Sequence, residues 1–167
     1  FRRVLFRSVF MMWRHRVPIV AAVAASTPGL AIGHAIGRVG CFLVGDDYGG
    51  PSSLPWAVAF PKGLPPVDVP VHPTQLYEAL ALVVIATLLF RWRAAGVRDT
   101  QVLGRYLVLA GLVRFGIEFI RVNERLVGPL TLAHMIALAL VLAGVVVLMR
   151  PAAEAVPAAR GRGRSIK

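Results

Sequence analysis

The sequence predicts an all-α fold: a polytopic transmembrane helix bundle of about four spans, with an outer-side loop. The first observation is composition, because 57% of the 167 residues are hydrophobic, only 16% are charged, and the mean hydropathy is +0.69. Ordinary soluble domains carry about 25% charged residues, and a soluble fold of this length could not bury so much apolar surface. The second observation is four apolar segments, each long enough for a bilayer, which takes about 20 residues.

The four predicted spans differ in their polar content. The first covers residues 17–36 and contains Pro28, so we expect its helix to be kinked or interrupted. The second begins near Pro73, whose missing N–H is not needed in a first helical turn, and runs to residue 90. The third covers residues 102–120 and holds charged side chains within it, and the fourth covers residues 130–149.

Basic residues separate the two sides of the predicted bundle. Of the 19 basic residues, five lie in residues 1–16, four in residues 91–105, and five in the tail from residue 150. These regions face one side if the chain crosses four times, whereas six of the eight acidic residues fall on the other. Because basic residues concentrate in cytoplasmic loops, we predict that both ends are cytoplasmic and that a loop of residues 37–72 faces outward.

We divide the chain into three regions. Residues 1–16 form a basic cytoplasmic segment, residues 17–149 a transmembrane domain, and residues 150–167 a basic disordered tail rich in Ala, Pro and Arg. The chain begins with Phe, so we expect an N-terminal truncation, with part of residues 1–16 foreign to the fold. We assign the net charge of +11 to cytoplasmic segments rather than to nucleic-acid binding, and the single cysteine excludes an internal disulfide.

Ionisable residues at the outer ends of two spans indicate a polar site, since such residues are costly in a membrane and usually functional. Arg114, Glu118 and Arg121 share one helix face through spacings of four and three. A purely structural alternative is an Arg114–Glu118 ion pair that joins two helices, with Arg121 reaching the headgroups. At the start of the second span, Gln75 and Glu78 are three apart and also share a face.

The stretch GRVGCFLVGDDYG at residues 37–49 combines a cation, a thiol and two carboxylates between glycines. The planar guanidinium of Arg38 suits a phosphate or a carboxylate, and Asp46 and Asp47 can position it or act as acids or bases. The glycines allow backbone to approach a neighbour or a ligand. A calcium loop is the competing interpretation, but the spacing is wrong and the oxygen ligands are too few, so no metal is predicted.

Taken in order, GRVGCFLVGDDYG, LPWAVAFP, HPTQLYE and RFGIEFIR resemble the phosphatidylglycerol–prolipoprotein diacylglyceryl transferase family over about residues 25–144. The resemblance implies a multi-pass enzyme of the bacterial inner (plasma) membrane, with residues 17–149 as the catalytic-type, C-terminal part of the family fold. It implies transfer of a diacylglyceryl group from phosphatidylglycerol to the lipobox cysteine thiol of a preprolipoprotein, with glycerol phosphate leaving. The implied partners are phosphatidylglycerol, the preprolipoprotein and membrane lipids, with no cofactor and no nucleic acid.

The resemblance also implies the site residues. The catalytic set is Arg38, Asp46, His72, Glu78, Arg114 and Glu118. The substrate-binding set is Gly37, Gly40, Gly49, Gln75, Tyr77 and Arg121. In this scheme Arg38 and Arg114 hold the phosphate while Asp46 and Glu118 steady their guanidiniums. His72 or Glu78 is a candidate to take the thiol proton, although a histidine motif in the family's earlier spans is the stronger candidate.

Some positions depart from the family pattern. Cys41 stands where the family has asparagine, Ala110 where it has tyrosine, Asp46 where it has glutamate, and His134 where it usually has glutamine. These departures keep open a second reading, a non-catalytic lipid-binding or scaffold paralogue. A transporter fragment would show inverted repeats, and the sequence contains none.

Overall fold

The computed structural model describes residues 2–122, 128 and 130–150. Five helices and two short strands follow one another along these residues. They are α1 (Arg2–Arg14), α2 (Ile19–Val44), β1 (Val58–Phe60), β2 (Val67–Val71), α3 (Thr74–Ala94), α4 (Asp99–Glu118) and α5 (Leu132–Met149). The helical frame confirms the predicted all-α class, and the strands form one small antiparallel hairpin. The predicted disordered tail lies outside the described residues, apart from Arg150.

Helix α2 is longer than predicted and is not interrupted. It runs through Pro28 because the hydroxyl of Thr27 donates to the Ala24 carbonyl at 2.8 Å, which is the acceptor that the proline nitrogen cannot serve. The helix ends at Gly45, which adopts a left-handed φ of 75° and donates its N–H to Cys41. The predicted loop of residues 37–72 is therefore wrong at its start, since residues 37–44 are helical.

Helix α3 packs against both α2 and α4. Its buried residues recur every three or four positions, from Gln75 and Glu78 at its N-terminal end to Leu89 near its C-terminal end. Ile85 and Leu89 pack in one cluster with Ala31 of α2 and Val102 of α4, so α3 contacts both of these helices. The turn that follows α3 is tied by an ion pair from Arg93 to Asp99 at 3.2 Å.

Helices α4 and α5 pack closely because small residues face one another. A Cβ on Gly104 would lie 3.1 Å from the Gly144 carbonyl, and one on Gly111 would lie 2.8 Å from the Ala137 carbonyl. Small residues let helix backbones approach in this way, and such interfaces are common between transmembrane helices. The pairing brings the C-terminal end of α4 beside the N-terminal end of α5.

The outward faces of the long helices are apolar. Leu43, Leu80 and Ile36 are each more than 60% exposed, which is costly in water and neutral against lipid chains. Helices α2, α3 and α5 are long and apolar enough to cross a membrane. Helix α4 has similar length but carries Asp99 and three further charged residues. The four long helices match the four predicted spans to within a turn or two at most ends, the longer α2 excepted.

The segment between α2 and α3 is fastened to the C-terminal end of α4. Gly49 donates its N–H to His72 at 2.9 Å, and Gly50 donates to Ile120 at 2.9 Å. A Cβ on Gly49 would lie 2.8 Å from the Thr74 methyl and 3.0 Å from the Ile120 carbonyl, so this position requires glycine. The attachment places the turn at residues 45–49 directly over the ends of α3 and α4.

Candidate functional site

A buried carboxylate lies at the centre of the polar residues. Glu78, in the second turn of α3, has a side chain only 3% exposed. Its Oε2 lies 2.9 Å from Arg38 Nε and 3.7 Å from Arg114 Nη1, and its Oε1 lies 3.6 Å from His34 Nε2. The Arg38 Nε–H is not aimed along the first of these lines, so that contact is an ion pair rather than a hydrogen bond. An isolated buried carboxylate is costly, and these neighbours are the partners that offset the cost of burying Glu78.

Arg114 is held between two carboxylates. Its Nη2 lies 3.2 Å from Glu118 Oε2, one turn further along α4, and its Nη1 faces Glu78 as described above. The Thr131 hydroxyl donates to the other oxygen of Glu118 at 2.8 Å. The sequence offered an ion pair between two helices as the structural alternative for Arg114, but the pair with Glu118 lies within α4, and it is Glu78 that links Arg114 to a second helix.

His134 has a structural role in the described part of the chain. It forms a reciprocal cap with Thr131 at the start of α5, and its ring packs edge-on against Phe115 and Phe119 at 4.9 and 4.5 Å between centroids. Since Thr131 also binds Glu118, this cap orients the carboxylate that faces Arg114. The side chain is buried, so we assign His134 to the support of the site.

The partner of Arg38 in the turn is Asp47, and the predicted pairing with Asp46 is wrong. Arg38 Nη1 donates to Asp47 Oδ2 at 2.7 Å, and Arg121 pairs with the other oxygen of Asp47. Burial alone would raise the pKa of Asp47, but the hydrogen bond from Arg38 and the charge of Arg121 outweigh it, so the pKa lies below its ordinary value. Two residues of this turn are left-handed, Gly45 with a φ of 75° and Asp47 with a φ of 60°. These conformations explain why Asp47, rather than Asp46, meets Arg38.

Asp46 contacts the start of α3 through its backbone. Its backbone carbonyl accepts from the Gln75 amide at 2.5 Å, and the Thr74 hydroxyl binds the carbonyl of Asp47 at 2.9 Å. Gln75 therefore holds the turn against the first turn of α3, and its predicted contact with a substrate stays a prediction. The Asp46 carboxylate lies within 4.8 Å of the Cys41 sulfur and of an Asp47 oxygen. Two arginines already neutralise Asp47, and a metal cation would compete with them.

His72 and Tyr77 belong to a second, aromatic cluster. Trp56 donates its indole N–H to the Tyr77 hydroxyl at 2.8 Å, and His72 Nδ1 lies 3.4 Å from the same oxygen. Among the described residues no hydrogen bond or ion pair joins His72 to Arg38 or to Glu78. The structure thus brings Arg38, Glu78, Arg114 and Glu118 together but separates His72 from them.

Two of the three predicted substrate-binding glycines lie against open space. A Cβ on Gly37 or Gly40 would meet nothing within 4 Å among the described residues. Of these three glycines, only Gly49 closely approaches another described part of the chain. A role of Gly37 and Gly40 in close approach to a ligand stays a prediction.

Similarity to known proteins identifies the family of the chain. Residues 3–150 match the family model described as prolipoprotein diacylglyceryl transferase. The chain belongs to that family. A family member from Finegoldia magna, named phosphatidylglycerol–prolipoprotein diacylglyceryl transferase, is 32% identical over 124 residues, which cover 74% of this chain and 48% of the relative.

Further members of the diacylglyceryl transferase family show the same extent of match. The relative of the same name from Gloeobacter violaceus is 36% identical over 139 residues, covering 80% of this chain and 52% of its own. The one from Methylococcus capsulatus is 37% identical over 128 residues, covering 72% and 47%. The chain therefore spans about half the length of the relatives it matches. The family and the apolar helices together identify a bacterial membrane protein.

The sequence analysis of this diacylglyceryl transferase family member missed two residues of the site. His34 lies one turn before Arg38 on the same face of α2 and contacts Glu78; the spacing of four was a usable signal. Asp47 was weighed only beside Asp46, and the sequence carries no signal that distinguishes their directions. Arg121 was predicted to bind substrate, and the structure places its buried side chain on Asp47.

Proposed function

We propose that this chain forms part of an enzyme that transfers a diacylglyceryl group from phosphatidylglycerol to the lipobox cysteine thiol of a preprolipoprotein. The observation that carries the proposal is the sharing of one buried carboxylate, Glu78, by Arg38 and Arg114 from two other helices. The shared carboxylate holds two guanidiniums side by side at one end of the bundle. A phosphodiester headgroup is an anion that such a pair can bind, because arginine grips phosphate with two parallel N–H bonds.

The proposed reaction needs positive charge where the phosphate leaves. The thiolate attacks the glycerol carbon, the carbon–oxygen bond breaks, and the bonding electrons depart with the oxygen of glycerol phosphate. Negative charge on the phosphate therefore grows in the transition state, and fixed cations aimed at it lower the barrier. Arg38 is 13% exposed and Arg114 is 24% exposed, so both are held in place yet open to a ligand. Asp47 and Glu118 fix the two guanidiniums from their other sides.

Substitution of the two arginines tests the proposal. In the intact protein, Arg38→Ala or Arg114→Ala should lower transfer to a lipobox peptide by at least 10²-fold, the range for loss of one preorganised charge contact, while membrane insertion persists. Lys62→Ala is the matched control, since it removes an exposed cation from the outer loop. Full transfer activity in either arginine variant would refute the assignment.

A non-catalytic lipid-binding or scaffold paralogue is the second candidate. Cys41 favours it, because a thiol replaces the amide of the family pattern, and its sulfur lies 3.9 Å from Arg38 Nη1 with only a weak hydrogen bond. Such a protein would still bind phosphatidylglycerol vesicles through Arg38 and Arg114. Vesicle binding without any thioether product from the intact wild-type protein would establish the paralogue.

The membrane arrangement is part of the proposal. We place the chain in the bacterial inner membrane with several passes, both ends in the cytoplasm and the Glu78 cluster on the outer side. The distribution of the basic residues supports this orientation. The preprolipoprotein, phosphatidylglycerol and other membrane lipids would then be the partners of the outer end of the bundle.

A further inference from the structure

One histidine faces the Glu78 cluster and has no part in the function proposed above. His34 lies on α2, four residues before Arg38, and its Nε2 is 3.6 Å from Glu78 Oε1. The second oxygen of the same carboxylate faces Arg38 at 2.9 Å. Glu78 thus joins a histidine and a phosphate-binding arginine, one through each oxygen. The His34 side chain is 46% exposed, whereas Glu78 is 3% exposed, so the histidine lies at the open side of the cluster.

The other three histidines are placed differently. His72 is engaged with the Tyr77 hydroxyl and His134 is buried between two phenylalanines at the start of α5. His15 is exposed in the turn between α1 and α2. All four histidines of the sequence are among the described residues, and only His34 contacts the Glu78 cluster from an accessible position.

We propose that His34 takes the proton from the substrate thiol, with Glu78 as its orienting carboxylate; this rests on the transferase function proposed above. In the neutral ring the proton on Nε2 faces Glu78, and Nδ1 carries the free electron pair. The thiol proton passes to Nδ1, the sulfur electron pair forms the carbon–sulfur bond, and the carbon–oxygen electrons leave with glycerol phosphate. A carboxylate that orients a histidine in this way allows the histidine to act as a general base. The observed 3.6 Å would shorten to a hydrogen bond when substrate binds.

The spacing along α2 suits an in-line displacement. Sulfur and the departing oxygen must lie on opposite sides of the reacting carbon, so the base and the phosphate grip have to be separated. Residues four apart on a helix are separated by about 6 Å along its axis. His34 and Arg38 therefore place the proton acceptor and the phosphate cation on one face, with room for the carbon between them.

The charged groups that face His34 come from its own helix, from α3, from α4 and from the turn. Glu78 of α3 faces it directly. Arg38 on the same helix and Arg114 of α4 are both paired with Glu78. Asp47 from the turn neutralises Arg38 on its other side.

The pH dependence of His34→Gln provides the test, in the intact protein reconstituted in phosphatidylglycerol vesicles with a lipobox peptide. At pH 7 the variant should transfer about 10² to 10⁴ times more slowly than wild type, the contribution of a general base. The difference should shrink toward pH 9.5, because a cysteine thiol ionises by itself above about pH 8.5. His15→Gln is the matched control and should follow the wild-type profile.

The outcomes separate the two proposals. Wild-type activity in His34→Gln at every pH, or a loss by the same factor at every pH, would overturn the role of His34 and leave the transferase function standing. Failure of Arg38→Ala to reduce transfer would overturn the function itself. Absence of any transfer by the wild-type protein would overturn both.

Discussion

At the scale of single residues, the site depends on which atoms one carboxylate faces. Glu78 is found in the sequence as a polar residue at the start of a span, and helical spacing explains why Gln75 is buried beside it. Its contacts with Arg38, Arg114 and His34 come from two other helices. Contacts of that kind depend on helix packing, which spacing within one segment does not encode.

The choice between Asp46 and Asp47 shows the same limit more sharply. The two residues are adjacent and chemically identical, so a sequence argument assigns the wrong one as easily as the right one. The left-handed conformations of Gly45 and Asp47 send Asp47 toward the arginines. Asp is among the few residues that tolerate this conformation, but the sequence does not reveal that it adopts it here.

Asp47→Asn should weaken the attachment of the turn more than Asp46→Asn does. The amide keeps the size of the carboxylate but loses its charge, which pairs with both Arg38 and Arg121. Because the folded-state pKa of Asp47 is lowered, its stabilisation is present above the unfolded value of about 3.9 and is lost as the pH falls through the lowered value. The difference in unfolding free energy between wild type and Asp47→Asn should therefore be constant from pH 7 to about 5 and decrease below about 4.

Denaturation of the two variants in mixed detergent, followed by circular dichroism across that pH range, measures the difference. Asp46→Asn serves as the control, because Asp46 is fixed mainly through its backbone carbonyl. An equal loss in both variants, or a difference for Asp47→Asn that persists unchanged to pH 2, would contradict the pairing.

At the scale of elements, composition and spacing located the helices well and their ends less well. Long apolar runs between charged links are enough to place α3, α4 and α5 to within a turn. The C-terminal end of α2 was placed at residue 36, short of the observed Val44, and the misplaced stretch contains Gly37 and Gly40. Within a membrane helix, glycine is more frequent than in soluble helices, and here both lie inside the helix against open space.

The α4–α5 contact gives a prediction at this scale. Gly111→Ala should destabilise the bundle by about 1–3 kcal/mol, since the added methyl would meet the Ala137 carbonyl at 2.8 Å and force the helices apart. Gly116→Ala on the same helix is the control, because its added methyl meets nothing within 4 Å. The control should be neutral or more stable by up to about 1 kcal/mol through helix propensity. Unfolding in mixed detergent measures both, and equal stability of the two variants would disprove close packing at Gly111.

At the scale of the whole molecule, the polar residues gather at one end of an otherwise apolar bundle. The C-terminal ends of α2 and α4 and the N-terminal ends of α3 and α5 meet there, and the turn at residues 45–49 covers them. The alternating directions of the four helices produce this meeting. The site is therefore a consequence of the order and direction of the helices, and the side of the membrane on which it lies is part of the proposed topology.

Cysteine labelling tests that topology. In a Cys41→Ala background, Lys62→Cys places a thiol in the loop between the strands, and Arg98→Cys places one in the turn before α4; both positions are exposed. Because α3 separates these two positions and is long enough to span the bilayer, we expect them on opposite sides. A membrane-impermeant maleimide should label Lys62→Cys in intact spheroplasts, and Arg98→Cys only after permeabilisation, since basic links are retained in the cytoplasm.

Labelling of Arg98→Cys alone would invert the orientation and place Glu78 at the cytoplasmic face, where a secreted preprolipoprotein thiol would not meet it. Labelling of both from outside would show that α3 does not cross the membrane.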